Sequence, residues 1–76
     1  MGEQPKAERL GNRLRVARAE QRLSQEQLAS LAGVTRQTIS AIENTQYCPS
    51  ALLAFVLARR LGKPVTDIFF IEGDPP

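Results

Sequence analysis

Histidine is absent from this 76-residue sequence, and cysteine occurs once, as Cys48. The first absence removes the side chain most used for proton transfer near neutral pH, and it excludes any histidine-containing metal site. The second excludes an internal disulfide. Tryptophan is missing too, and aromatics make up only 5% of the residues. No apolar run reaches the roughly 18 residues that mark a membrane helix, and Met1 to Leu10 lacks the apolar segment of a secretory signal. A cytoplasmic protein with no membrane partner is expected. With no nucleophile and base in evident pairing, neither enzymatic function nor a cofactor or metal is expected. Charge of one sign is also scarce, since 10 Lys plus Arg against 8 Asp plus Glu leave a net charge of only +2. That excess does not identify nucleic acid as a partner. Its distribution says more, because Arg9, Arg13, Arg15, Arg18 and Arg22 crowd one segment opposed only by Glu20.

What is present is ordinary for a folded domain, with 42% hydrophobic and 24% charged residues. A chain this short buries only about 60% of its unfolded surface, so a partner subunit is the remaining way to add core. Residues 1–8 are polar and aperiodic and read as a flexible tail, 9–70 as the single domain, and 71–76 as a second tail. Within the domain, Leu10, Leu14 and Ala17 follow one helical face, which predicts a first helix over Arg9 to Gln21. Ser24 followed by Gln27 is a capping-box spacing, and Gly33 is a stop signal, so a second helix lies between them. Thr35 caps a third helix running to about Asn44, and Ser50 caps a fourth over Ala51 to Leu61, ended by Gly62 and Pro64. A short turn over Val65 to Phe69 and a lone strand over Ile68 to Ile71 complete the reading.

The second and third helices, joined by a glycine turn, have the form a helix-turn-helix needs, over about residues 24–44. On a wheel Thr35, Ile39 and Ile42 share one side of the third helix, while Arg36, Gln37, Ser40, Ala41 and Asn44 form a polar outer face. With Ser24 to Ala29, Ala32-Gly33-Val34-Thr35, Ile39 to Asn44, Pro49-Ser50, Ala58 to Gly62 and Asp67 to Phe69, the chain resembles the phage repressor and Cro-like helix-turn-helix family, also called the xenobiotic response element family. The resemblance implies an all-α, lambda-repressor-like bundle of four to five helices that binds double-stranded DNA, most often as a repressor.

Carried over by position, it places Arg36 and Gln37 at base edges, where arginine suits guanine and glutamine suits adenine. Ser40 and Ala41 sit one turn on, while Gln25, Thr35, Thr38 and Asn44 match positions that touch phosphates or anchor the helix. Arg18 and Glu43 match a structural pair. Arg15 and Arg22 are open to two readings, phosphate contacts or a solvated face. Two departures stand out: Thr45 where glycine is usual, and Pro64 where serine is usual.

The fourth helix is apolar nearly all round. With Ala51, Ala54, Ala58 and Leu61 assigned to the core, Leu52, Leu53 and Val56 point outward and call for a partner. Phe69, Phe70 and Ile71 add a strand that pairs either with a second copy or back onto the fourth helix. A homodimer on a palindromic operator is the leading expectation. The alternative is a protein-interaction module, such as an antitoxin-like partner whose DNA binding is only autoregulatory. Cys48 reads as an incidental loop thiol, with redox sensing as the other reading.

Overall fold

In the computed structural model, which describes residues 8–73, Asn12 marks where the first helix begins. Its Oδ1 accepts from the Leu14 amide at 3.0 Å and its Nδ2 donates to the Ile42 carbonyl at 2.9 Å. One side chain thus caps a helix and ties it to another. Helix α1 spans Leu14–Glu20, shorter than the helix expected from Arg9. Residues Glu8–Asn12 form strand β1 instead, antiparallel to β2 at Phe69–Gly73.

The fold is therefore helical with a small two-stranded sheet, not all-α. Three expectations change with it. The lone strand has a ladder partner in its own chain, and both strands reach into residues assigned to tails, Glu8 at one end and Ile71 to Gly73 at the other. The rest of those tails, 1–7 and 74–76, lies outside the described residues. The reason is local. Gly11 faces Phe70 across the ladder, and a Cβ on Gly11 would stand 2.5 Å from Phe70 Cε1. A bare backbone lets the ring lie flat on the strand, and the Arg13 guanidinium packs 5.0 Å from its centroid. Leu10 fits a helical period with Leu14, but its neighbour Gly11 is shaped for a sheet.

The other elements follow their signals. Helix α2 covers Gln25–Ala32 behind a complete Ser24/Gln27 capping box, α3 covers Arg36–Glu43 behind Thr35, and α4 covers Ala51–Leu61 behind Ser50. A 3-10 turn at Val65–Asp67 opens after Pro64. All four helices end alike, with the amide after a left-handed residue bonded to the carbonyl five residues back, at Leu23 to Arg18, Val34 to Ala29, Gln46 to Ala41 and Lys63 to Ala58. Gly33 and Gly62 supply that conformation freely. Arg22 and Thr45, both at φ 58, hold it as L-residues at a cost of about 1–2 kcal/mol each. The Thr45 departure thus leaves the helix ending unchanged and strains it.

The core collects Leu14 and Ala17 from α1, Leu28 and Ala29 from α2, Ile39 and Ile42 from α3, four residues of α4, and Ile68 and Phe69. On α4 those four are Ala54, Leu57, Ala58 and Leu61. Ala51 is exposed, contrary to its core assignment, and Leu53, expected outside, packs against the core. The helix is rotated so that Leu57, its largest fully enclosed residue beside Leu61, points inward. Among the described residues no helix is long and apolar enough to cross a membrane.

Candidate nucleic-acid interface

Gly33 ends α2 at φ 75, and Thr35 restarts the chain as α3 by accepting from the Thr38 amide at 3.1 Å. Only Gly33 to Thr35 separate the two helices, so α3 is held across α2 with Ile39 and Ile42 driven into the core. The period of a helix then sends Arg36, Gln37 and Asn44 outward, where all three are exposed, with Ser40 and Ala41 half-buried between them. Thr35 is exposed and Thr38 half-buried, their hydroxyls 3.0 Å apart.

Beneath this face lies a charged hub. The Glu43 side chain is wholly enclosed, at 0% exposure, and Arg18 is nearly so, at 16%. Arg18 Nε donates to Glu43 Oε2 at 2.7 Å and its Nη2 to Oε1 at 3.2 Å, while Nη1 reaches the Leu23 carbonyl at 2.9 Å. Gln25 Nε2 donates to Glu43 Oε1 at 3.0 Å. Burial pushes the Glu43 carboxyl up, but the hydrogen bond from Arg18, then that from Gln25, outweigh it and hold the group below the ordinary carboxylate value. The hydrogen bond to Glu43 raises Arg18 in turn, against the opposing effect of burial. One carboxylate therefore fastens α1, α2 and α3 together.

The expected Arg18–Glu43 pair is only part of this hub. Arg15 Nε also approaches Glu43 Oε1 at 3.4 Å, and its Nη2 donates to Asn44 Oδ1 at 3.1 Å. Gln25 sits at the centre, because its Oε1 accepts from Arg36 Nη1 at 3.4 Å. No sequence spacing announces that Gln25 bridges Glu43 and Arg36. The signal was a single polar residue at the first position of α2, which admits many partners.

The apolar residues assigned to a partner surface are divided by the fold. Leu52 is 75% exposed and Ile71 is also exposed, whereas Val56 and Phe70 are half-buried and Phe69 is in the core. Phe55, at 62% exposure, was not among the expected residues. It joins Leu52, Val56, Pro64 and Val65 in an open groove of about 630 Å³, with Arg59 and Lys63 at its margin. Three-residue spacing from Leu52 was the available signal. An all-apolar helix gave no way to decide which stripe it would expose. Cys48 is an exposed loop thiol.

Two crossed helices, a short glycine turn and a polar outer face define a DNA-binding module of the helix-turn-helix class. Residues 14–68 match the helix-turn-helix family, and the chain belongs to it, as a DNA-binding transcriptional regulator. It is 49% identical over 63 residues to an HTH-type transcriptional regulator of Methanocaldococcus jannaschii, covering 83% of this chain and 96% of that one. The regulator YgzD of Bacillus subtilis is 41% identical over 63 residues, with the same 83% and 96% coverage. Among solved structures, the restriction-modification controller protein C.AhdI from Aeromonas hydrophila is similar with a TM-score of 0.70 and 34% identity, over 72% of this chain and 80% of that one.

Proposed function

We propose that the protein reads a specific operator with the outer face of α3 and binds it as a homodimer, blocking transcription by occupying the site. The observation that carries this reading is the face itself: Arg36 and Gln37 stand exposed on the first turn of α3 while Ile39 and Ile42 anchor the opposite side. Arginine offers a two-pronged donor to guanine and glutamine a donor and acceptor to adenine, each worth roughly 1–3 kcal/mol of discrimination. Ser40 and Ala41 supply short contacts one turn on, and Thr35, Thr38 and Asn44 border the phosphates. Gln25 stands where α2 meets the duplex. Leu52, Phe55 and Val56 are the apolar surface that a second copy would cover, and a twofold dimer matches half-sites about 34 Å apart.

The test is selection of bound duplexes from a random library by the wild-type protein and by Arg36→Ala. A selected twofold motif, one position of which loses its base preference with Arg36→Ala, supports the reading. Selection of no motif, or an unchanged motif in the variant, refutes it. The second reading, a protein-interaction module, is favoured by the same open groove on α4, and a stable complex with a different protein that excludes self-association would establish it in place of the dimer.

A further inference from the structure

Two helix endings carry a side chain where glycine would be free of strain, Arg22 and Thr45, both at φ 58. The Thr45 hydroxyl has an acceptor in the chain, the Asn44 carbonyl at 2.6 Å. Arg22 is held differently, by its backbone alone. Its amide donates to the Ala19 carbonyl at 2.9 Å, the Leu23 amide donates to the Arg18 carbonyl at 3.1 Å, and the Leu23 carbonyl accepts from Arg18 Nη1 at 2.9 Å. Arg18 in turn grips the enclosed Glu43 carboxylate at 2.7 Å, so the turn is fixed relative to α3. From Arg22 the chain passes through Ser24 into Gln25, whose side chain meets Arg36. Three residues of chain span at most about 11 Å, so residue 22 borders the proposed reading face.

The arginines of this flank differ in what they already hold. Arg15 reaches Glu43 and Asn44, and Arg18 reaches Glu43 and Leu23. The exposed Arg22 side chain has no ion pair and no hydrogen bond among the described residues. Nothing within the folded chain therefore offsets the strain of an L-residue at this position, and strain of that kind is retained where function needs it. We infer that Arg22 is a phosphate-binding residue, holding a backbone phosphate beside the half-site that Arg36 reads. The inference rests on the proposed docking of this face against the duplex. A guanidinium with all its donors open matches the paired oxygens of a phosphate, and a turn fixed to the Glu43 hub gives that contact a set place. Such a contact adds affinity and register and no base preference.

Wild type, Arg22→Gly, Arg22→Gln and Arg22→Lys are titrated across a salt series against the duplex selected by wild type and against a scrambled one, and each is melted without DNA. Glycine removes strain and charge, glutamine removes charge alone, and lysine removes neither. A phosphate contact predicts that Arg22→Gly and Arg22→Gln weaken both duplexes alike, roughly three- to tenfold, and lower the slope of log affinity against log salt by about 0.9 for each protomer bound. Arg22→Lys keeps the wild-type slope. Arg22→Gly melts a few degrees above Arg22→Gln and binds no better, so stability and affinity separate, which a merely structural role would not produce. Slopes changed by less than about 0.3 in both neutral variants, or losses confined to the selected duplex, overturn the inference while the reading by Arg36 stands. If wild type binds both duplexes equally, base reading has failed and the slopes still decide the phosphate contact; if it binds neither, the phosphate contact is refuted as well.

Discussion

Replacing Glu43 with glutamine changes one enclosed atom in the protein and should be costly. The amide has nearly the shape of the carboxylate, so packing is preserved and the loss is electrostatic. In the native hub Oε2 accepts from Arg18 Nε, and Oε1 faces Arg18 Nη2, Gln25 Nε2 and Arg15 Nε. Whichever oxygen becomes NH2, a donor then meets a donor. Arg18, with 16% exposure, retains its charge beside the Leu23 carbonyl but without a counter-ion. Arg15 is largely exposed and adds little. Removing one partner of an enclosed pair costs about 3–5 kcal/mol, and the surviving acceptor of glutamine brings Glu43→Gln to the low end, about 3 kcal/mol. In a domain of this size each kcal/mol moves the melting midpoint by about 4–8 °C, so a drop of roughly 12–24 °C is expected at neutral pH.

Thermal melts followed by far-UV circular dichroism across an acid series read both size and origin. The folded Glu43 carboxyl is held below its ordinary value, so between the folded and unfolded values the unfolded chain binds more protons and stability rises with pH. The contribution is complete above the ordinary carboxylate range and is lost as pH falls through the lowered folded value. The gap between wild type and Glu43→Gln should therefore be widest at neutral pH and close in acid. A gap under about 4 °C at neutral pH, or one that stays constant through the acid series, would refute the account of the hub.

Gly11→Ala should push the Phe70 ring off β1 and away from Arg13, costing about 1 kcal/mol; amide exchange should quicken at Leu10 to Asn12 while α2 and α3 keep their protection. Thr45→Gly relieves a β-branched residue at φ 58 and should raise the melting midpoint by a few degrees, the expression of about 1 kcal/mol; an unchanged or lower midpoint would mean that the loop gains more from the threonine side chain than its strain costs. Phe55→Glu places a charge in the α4 groove and should leave a well-folded monomer by light scattering, with operator affinity reduced; an unchanged mass would remove this groove from the proposed dimer.

Much of this protein is written in local signals. Ser24, Thr35 and Ser50 cap α2, α3 and α4 because a hydroxyl three residues before a free amide needs no help from the rest of the chain. Gly33 and Gly62 end their helices for an equally local reason, and the 3.6-residue period alone buries Ile39 and Ile42 and turns Arg36 and Gln37 outward. The helix-turn-helix was legible for that reason.

Tertiary structure decided what depends on residues distant in sequence. The same apolar spacing that predicted a helix from Arg9 is compatible with a strand, and the choice was made by Phe70 lying on Gly11 and by Asn12 reaching Ile42. On α4, apolar residues surround the axis, so periodicity could not choose between Leu53 and Phe55 for the surface; the packing of Leu57 and Leu61 did. The tie from Glu43 through Gln25 to Arg36 joins opposite ends of α3 by way of α2. Hydrogen bonds of that kind exist only once the helices have docked, because their geometry is set by three-dimensional placement and not by spacing along the chain.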